Sequence, residues 1–81
     1  MEHIIKNDQI KIKILKEMSS KDKITPSRLA TNLKYKYETI KKSLVFLEKI
    51  SLVKKEIMNH GKKDYVYYQL TKLGKEVSKN A

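Results

Sequence analysis

Lys41, Lys42 and Lys49 recur on or near one side of a run whose other side carries Ile40, Leu44 and Leu47. On a wheel of about 100° per residue, Leu44 and Leu47 fall close to Ile40, while Glu38, Lys42, Val45 and Lys49 fall opposite. A lysine ammonium is a point charge with three donors, and it suits contact with phosphate. Upstream, Thr25-Pro26 opens a shorter helical pattern, a cap residue followed by proline at the first helical position, and only a few residues separate the two patterns. Two helices joined this tightly, the second lysine-rich on its free side, meet the needs of a helix-turn-helix entering a DNA groove.

Other chemistries find little support. His3 and His60 are remote in sequence and share no metal-ligand spacing, and the acidic residues are scattered among lysines. There is no phosphate-binding glycine loop, nucleophile elbow or zinc signature. The absence of cysteine excludes disulfides and thiolate zinc sites. A non-enzyme without cofactor or metal is expected.

The charge is informative about partners. Nineteen basic residues stand against 9 acidic ones, for a formal net charge of +10. Such an excess selects nucleic acid, acidic protein or anionic membrane. Arg28 is the only arginine. Bidentate guanine reading is mainly an arginine habit, although lysine also contacts guanine, so many phosphate contacts and modest base readout are expected. The first residues, M-E-H-I-I-K-N-D, hold no apolar run long enough for a signal peptide, and nothing approaches transmembrane length. The expected location is the cytoplasm, with the nucleoid, or the host cytoplasm for a viral protein.

The elements that must position these residues follow from pattern. A length of 81 residues fits one domain, 1–81, near the lower limit for a self-sufficient core. Ile10, Ile14 and Met18 share a stripe, with Leu15 beside them, in a first helix from about Asp8 to Met18. Ser19 to Asp22 is a polar turn, and Lys23-Ile24 a short strand. A second helix spans roughly Pro26 to Leu33, with Leu29, Ala30 and Leu33 inward. A third runs from about Tyr37 to Ile50. Val53 to Met58 and Asp64 to Leu70 are strand-like, and Asn59 to Lys63 forms a basic turn in which Gly61 can take a positive φ. Thr71 caps a last short helix over about Lys72 to Lys79. Within it, Gly74 is a weakness of about 1 kcal/mol relative to alanine. The fold class is α+β: a three-helix core, a β-hairpin and a short C-terminal helix.

Helix, short strand, helix-turn-helix and hairpin wing, in that order, resemble the winged helix-turn-helix superfamily. Y-E-T-I-K-K-S-L-V-F-L-E-K-I-S-L-V-K-K-E-I is similar to the family run of recognition helix, "L-E-x-x-G-L-V" end and first wing strand. Y-Q-L-T-K-L-G-K-E is similar to the "L-T-x-x-G" segment that closes the wing in MarR-, ArsR- and PadR-like regulators. The resemblance covers about Ile10 to Glu76. Three positions depart from it. Ser51 stands where glycine is usual. The third helix opens at Lys36 or Tyr37, without a Ser, Thr, Asp or Asn cap. Val45 and Phe46 stand where polar residues are usual.

The resemblance implies a sequence-specific, double-stranded DNA-binding transcription regulator, such as a repressor, of bacterial, archaeal or viral origin. Its recognition helix, about 37–50, would lie in the major groove, and its wing, about 53–70, on flanking backbone or minor groove. Base contacts would come from Tyr37, Glu38, Thr39, Lys42 and Ser43. Lys42 can donate to guanine O6 or N7, the Thr39 methyl can touch a thymine methyl, and Glu38 can accept from cytosine N4. Backbone contacts would come from Arg28, Lys34, Lys36, Lys41, Lys49, His60, Lys62 and Lys63. Plainer accounts exist for the same residues. A solvated amphipathic helix would carry the same charged face, Glu38 would favour the positive helix end, and Arg28 equally fits a simple surface role. Tyr65, Tyr67 and Tyr68 fit sheet packing better than base stacking. Most members of the superfamily are homodimers. Here Ile4, Ile5, Ile12, Val45, Phe46 and Val77 are the candidate contacts. Exposure of Phe46 and the wing tyrosines would instead favour a protein–protein adaptor or an RNA- or single-strand-binding accessory protein.

Overall fold

The computed structural model describes residues 9–79. Along the chain run α1 (Gln9–Ser19), α2 (Pro26–Leu33), α3 (Tyr37–Lys49), β1 (Val53–His60), β2 (Lys63–Leu70) and α4 (Lys72–Lys79). His3, Ile4, Ile5 and Asp8 lie outside the described residues. The helices are amphipathic as the sequence pattern predicts. Ile14, Leu15 and Met18 of α1, Leu29 of α2, and Ile40, Leu44 and Leu47 of α3 close one core with Ile24, Leu52, Val53, Tyr68 and Leu70.

The expected strand at Ile24 is a single bridge to β2. The Ile24 amide donates to the Tyr68 carbonyl over 3.0 Å, and the Tyr68 amide returns a bond to the Ile24 carbonyl over 2.8 Å. β1 and β2 form an antiparallel hairpin, paired from Val53 opposite Leu70 to His60 opposite Lys63. Its turn is tighter than the five residues read from sequence. Asn59, His60 and Lys63 belong to the strands, which leaves Gly61 and Lys62 in the turn. Gly61 has φ 68°. A two-residue loop with glycine of positive φ first is the type II′ solution, whose twist matches the strands it joins.

Three helix ends decide how the elements meet. Thr25 caps α2, its hydroxyl accepting from the Arg28 amide over 3.1 Å. α3 ends in a Schellman arrangement: the Ser51 amide donates to the Glu48 carbonyl over 3.0 Å, and the Leu52 amide to the Leu47 carbonyl over 2.9 Å. Ser51 itself sits in the left-handed region, φ 66°. That conformation is why glycine is usual at this point of the resemblance. At α4, the Thr71 hydroxyl accepts from the Gly74 amide over 3.0 Å and donates to the Ser51 carbonyl over 2.6 Å. Gly74 is therefore more than a weak helix former. A Cβ there would collide with the Leu52 carbonyl, which also accepts from the Thr71 amide.

Candidate nucleic-acid interface

The link from α2 to α3 is three residues, Lys34, Tyr35 and Lys36, and it sorts side chains by direction. Lys34 takes φ 61° and ends α2, its amide donating to the Ala30 carbonyl. The Tyr35 amide donates to the same carbonyl over 3.1 Å. Tyr35 is half-buried against the core. From α1, the Lys13 ammonium donates to its hydroxyl over 3.3 Å and lies 5.7 Å from its ring centre. With Tyr35 fixed, Lys34 and Lys36 point outward and are exposed. Tyr35 was legible only as part of a brief connection. Its one sequence signal is an aromatic ring between two lysines.

α3 begins at Lys36, which makes no side-chain cap. Its first turn exposes Tyr37 and Glu38, and Lys41 Nζ lies 5.8 Å over the Tyr37 ring. Lys41, Lys42, Val45 and Lys49 continue the exposed face, and Thr39 is half-buried at its margin.

Ser43 departs from the expected base-contacting set. It is only 7% exposed. On a helical wheel it lies about 60° from Ile40, on the flank of the apolar stripe. A small hydroxyl fits that flank, so its residue type misleads about its direction. Phe46 is half-buried, with Lys11 Nζ 4.8 Å over its ring. Val45 is 42% exposed. Ile12 and Val77, expected in a subunit contact, pack partly buried against this chain's own core.

The hairpin carries the second cationic group. His60, Lys62 and Lys63 are exposed at its tip. The His60 ring stacks edge-on against Tyr65 at 5.4 Å. The wing tyrosines divide by alternation as expected: Tyr68 is buried, while Tyr65 and Tyr67 lie on the opposite, wetter face. Burial raises the Tyr68 phenol above its ordinary value, and Glu48 and then Tyr37 add to the effect.

Glu17, Glu56 and Asp64 are engaged by other side chains. Lys23 pairs with Glu56 over 3.1 Å, and the Gln69 amide donates to the same carboxylate over 3.1 Å. Asn32 donates to Glu17 over 2.9 Å and Asn59 to Asp64 over 2.8 Å. Among the described residues, Lys34, Lys36, Lys41, Lys42, Lys49, Lys62 and Lys63 make no ion pair. The structure brings the first five together on α3 and its entry turn, and the last two on the hairpin tip. Arg28 stands apart, in a cleft beside α2 with Lys21, Lys23 and Tyr67. No spacing in the sequence announces that grouping. The described residues hold no cluster of His, Cys, Asp and Glu able to bind a metal ion. No helix among them is long and apolar enough to cross a membrane.

No protein-family model matches the chain, and no curated protein matches its sequence. Solved structures do match. The reduced form of MarR from E. coli superposes with a TM-score of 0.84 at 22% identity, over 96% of this chain and 57% of that one. The adhesin competence repressor AdcR of Streptococcus pyogenes gives 0.79 at 20% identity, over 96% and 57%. ZitR of Lactococcus lactis, a zinc-responsive MarR family member, gives 0.77 at 24% identity, over 88% and 48%. The chain has the winged-helix fold of these MarR-family regulators, with α2 and α3 as the helix-turn-helix and β1–β2 as the wing. It spans about half the length of the solved structures it matches.

Proposed function

We propose that this chain is the DNA-binding module of a transcription regulator acting on double-stranded DNA in the cytoplasm. The observation that carries the reading is the set of exposed lysines that make no ion pair among the described residues. The exposed lysines of α3, its entry turn and the wing tip lack carboxylate partners, whereas Glu17, Glu56 and Asp64 are engaged by other side chains. Unpaired ammonium groups on an exposed helix and an adjoining hairpin suit a polyanion that one groove and its flanking phosphates present.

In this reading α3 enters the major groove. Lys42 donates to a guanine edge, Tyr37, Glu38 and Thr39 reach neighbouring bases or phosphates, and Lys34, Lys36, Lys41 and Lys49 hold the backbone. His60, Lys62 and Lys63 rest on the flanking strand or minor groove. Two copies in a homodimer would place their α3 helices about one DNA turn apart, roughly 34–36 Å. The adaptor reading keeps Val45 and Tyr65, which are exposed, but its leading contact, Phe46, is half-buried beneath Lys11. The fold neighbours are regulators, which supports a non-enzymatic role.

Lys42→Ala tests the assignment. For a good base contact it should weaken binding to a selected operator by about 1–3 kcal/mol, with a smaller loss on random duplex. Equal affinities of variant and parent for that operator would remove Lys42 from the base-contacting set.

A further inference from the structure

A cleft of about 340 Å³ opens between the loop before α2, one face of α2 and the outer face of the wing. Lys21, Lys23, Ile24 and Thr25 line it from the loop, Arg28 and Asn32 from α2, and Tyr67 from β2. Neither α3 nor the hairpin tip contributes a lining residue. The volume lies at the lower end of the range for small-molecule sites, roughly 300–1,000 Å³.

Its lining carries three cations and no carboxylate. Lys21 and Arg28 make no ion pair among the described residues. Lys23 is held by Glu56, with the Met58 sulfur 3.7 Å from the same ammonium. The nearby Glu17 already accepts from Asn32. A guanidinium fork and two ammonium groups around one opening match the several oxygens of a phosphate. The half-buried Tyr67 ring leaves an apolar wall for the organic part of such a ligand.

We propose that this cleft is a binding site for a small phosphate monoester of sugar or nucleoside size, held by Arg28, Lys21 and Lys23 against Tyr67. The proposal does not depend on the DNA reading. Binding draws Lys23 away from Glu56, a residue of β1. Ligand and carboxylate therefore compete for one ammonium.

The test is an amide-resolved NMR titration of the whole chain with inorganic phosphate, against chloride at matched ionic strength. Saturable shifts confined to Lys21, Thr25, Arg28 and Tyr67 are expected, and Lys21→Gln combined with Arg28→Gln should abolish them. Glu56→Gln should tighten phosphate binding by about two- to fivefold, the weight of an exposed charge pair. The same spectra report whether each variant is folded. An unsaturating drift shared with Lys42 and Lys62, or weaker binding in Glu56→Gln, would overturn the proposal. A short duplex distinguishes the source of the phosphate. If Lys21→Gln lowers duplex affinity as much as it lowers phosphate affinity, the cleft seats a DNA backbone phosphate and the small-ligand assignment is wrong. If duplex affinity stays within the change expected for one remote charge, the assignment stands.

Discussion

The two ends of the hairpin follow one alternation and reach opposite outcomes. Val53 and Ile57 point to the same face of the sheet, yet Val53 is 1% exposed and Ile57 61%. At the base, Val53 faces Leu70, with α4 folded beneath through the Thr71 and Gly74 contacts to Ser51 and Leu52. Beyond Ile57 opposite Val66, which still packs partly against the core, the strands continue into solvent. The base is thus held by burial and close backbone approach. Among the described residues, the tip is held by the strand ladder, the tight turn, the Asn59–Asp64 bond and the His60–Tyr65 ring contact. Stability resides where the hairpin meets the helices, and the exposed charge resides where it leaves them.

Substitutions at the two ends should separate cleanly. Gly74→Ala carries the largest expected effect. Its methyl must displace the Leu52 carbonyl, so unfolding by urea should show a loss of about 3 kcal/mol, at the upper end for overpacking. A loss under about 0.5 kcal/mol, the range of ordinary surface changes, would show that the base yields easily and would blur the contrast. At the tip, Lys62→Ala with Lys63→Ala should leave stability within about 0.5 kcal/mol. On any duplex, the same pair should flatten the logarithmic salt dependence by roughly two units. Loss of affinity on one sequence alone would contradict a phosphate role. Ser51→Gly should give a gain of about 1 kcal/mol from relief of the left-handed conformation, with DNA affinity unaltered. A destabilised Ser51→Gly would mean that the serine side chain supports the junction.

How far the sequence could be read depends on the range of the interaction. Periodicity placed the helices, and Thr25 and Thr71 marked their starts, because a cap and its amide lie within one turn. The short strand at Ile24 was legible as an apolar residue before a cap. Ser43 was misplaced because a hydroxyl looks like a surface group, although its angle on the wheel puts it beside the core stripe. Gly74 appeared only as a local weakness. Its actual constraint is the Leu52 carbonyl, brought near by the whole hairpin. The positive φ of Ser51 was half legible, through the glycine expected in its place. The engagement of Glu56 by Lys23, and the grouping of Arg28 with Lys21 and Tyr67, join segments distant in sequence, and no local pattern encodes them.

In the proposed function the unpaired lysines of α3 and the wing receive duplex DNA. Fluorescence-anisotropy titration of a random DNA duplex, the matching single strand and an RNA duplex, each over a salt series, tests it most directly. Preference for the DNA duplex, with affinity falling steeply as salt rises, is the predicted result. Weak binding to all three, or preference for the single strand or RNA, would contradict it.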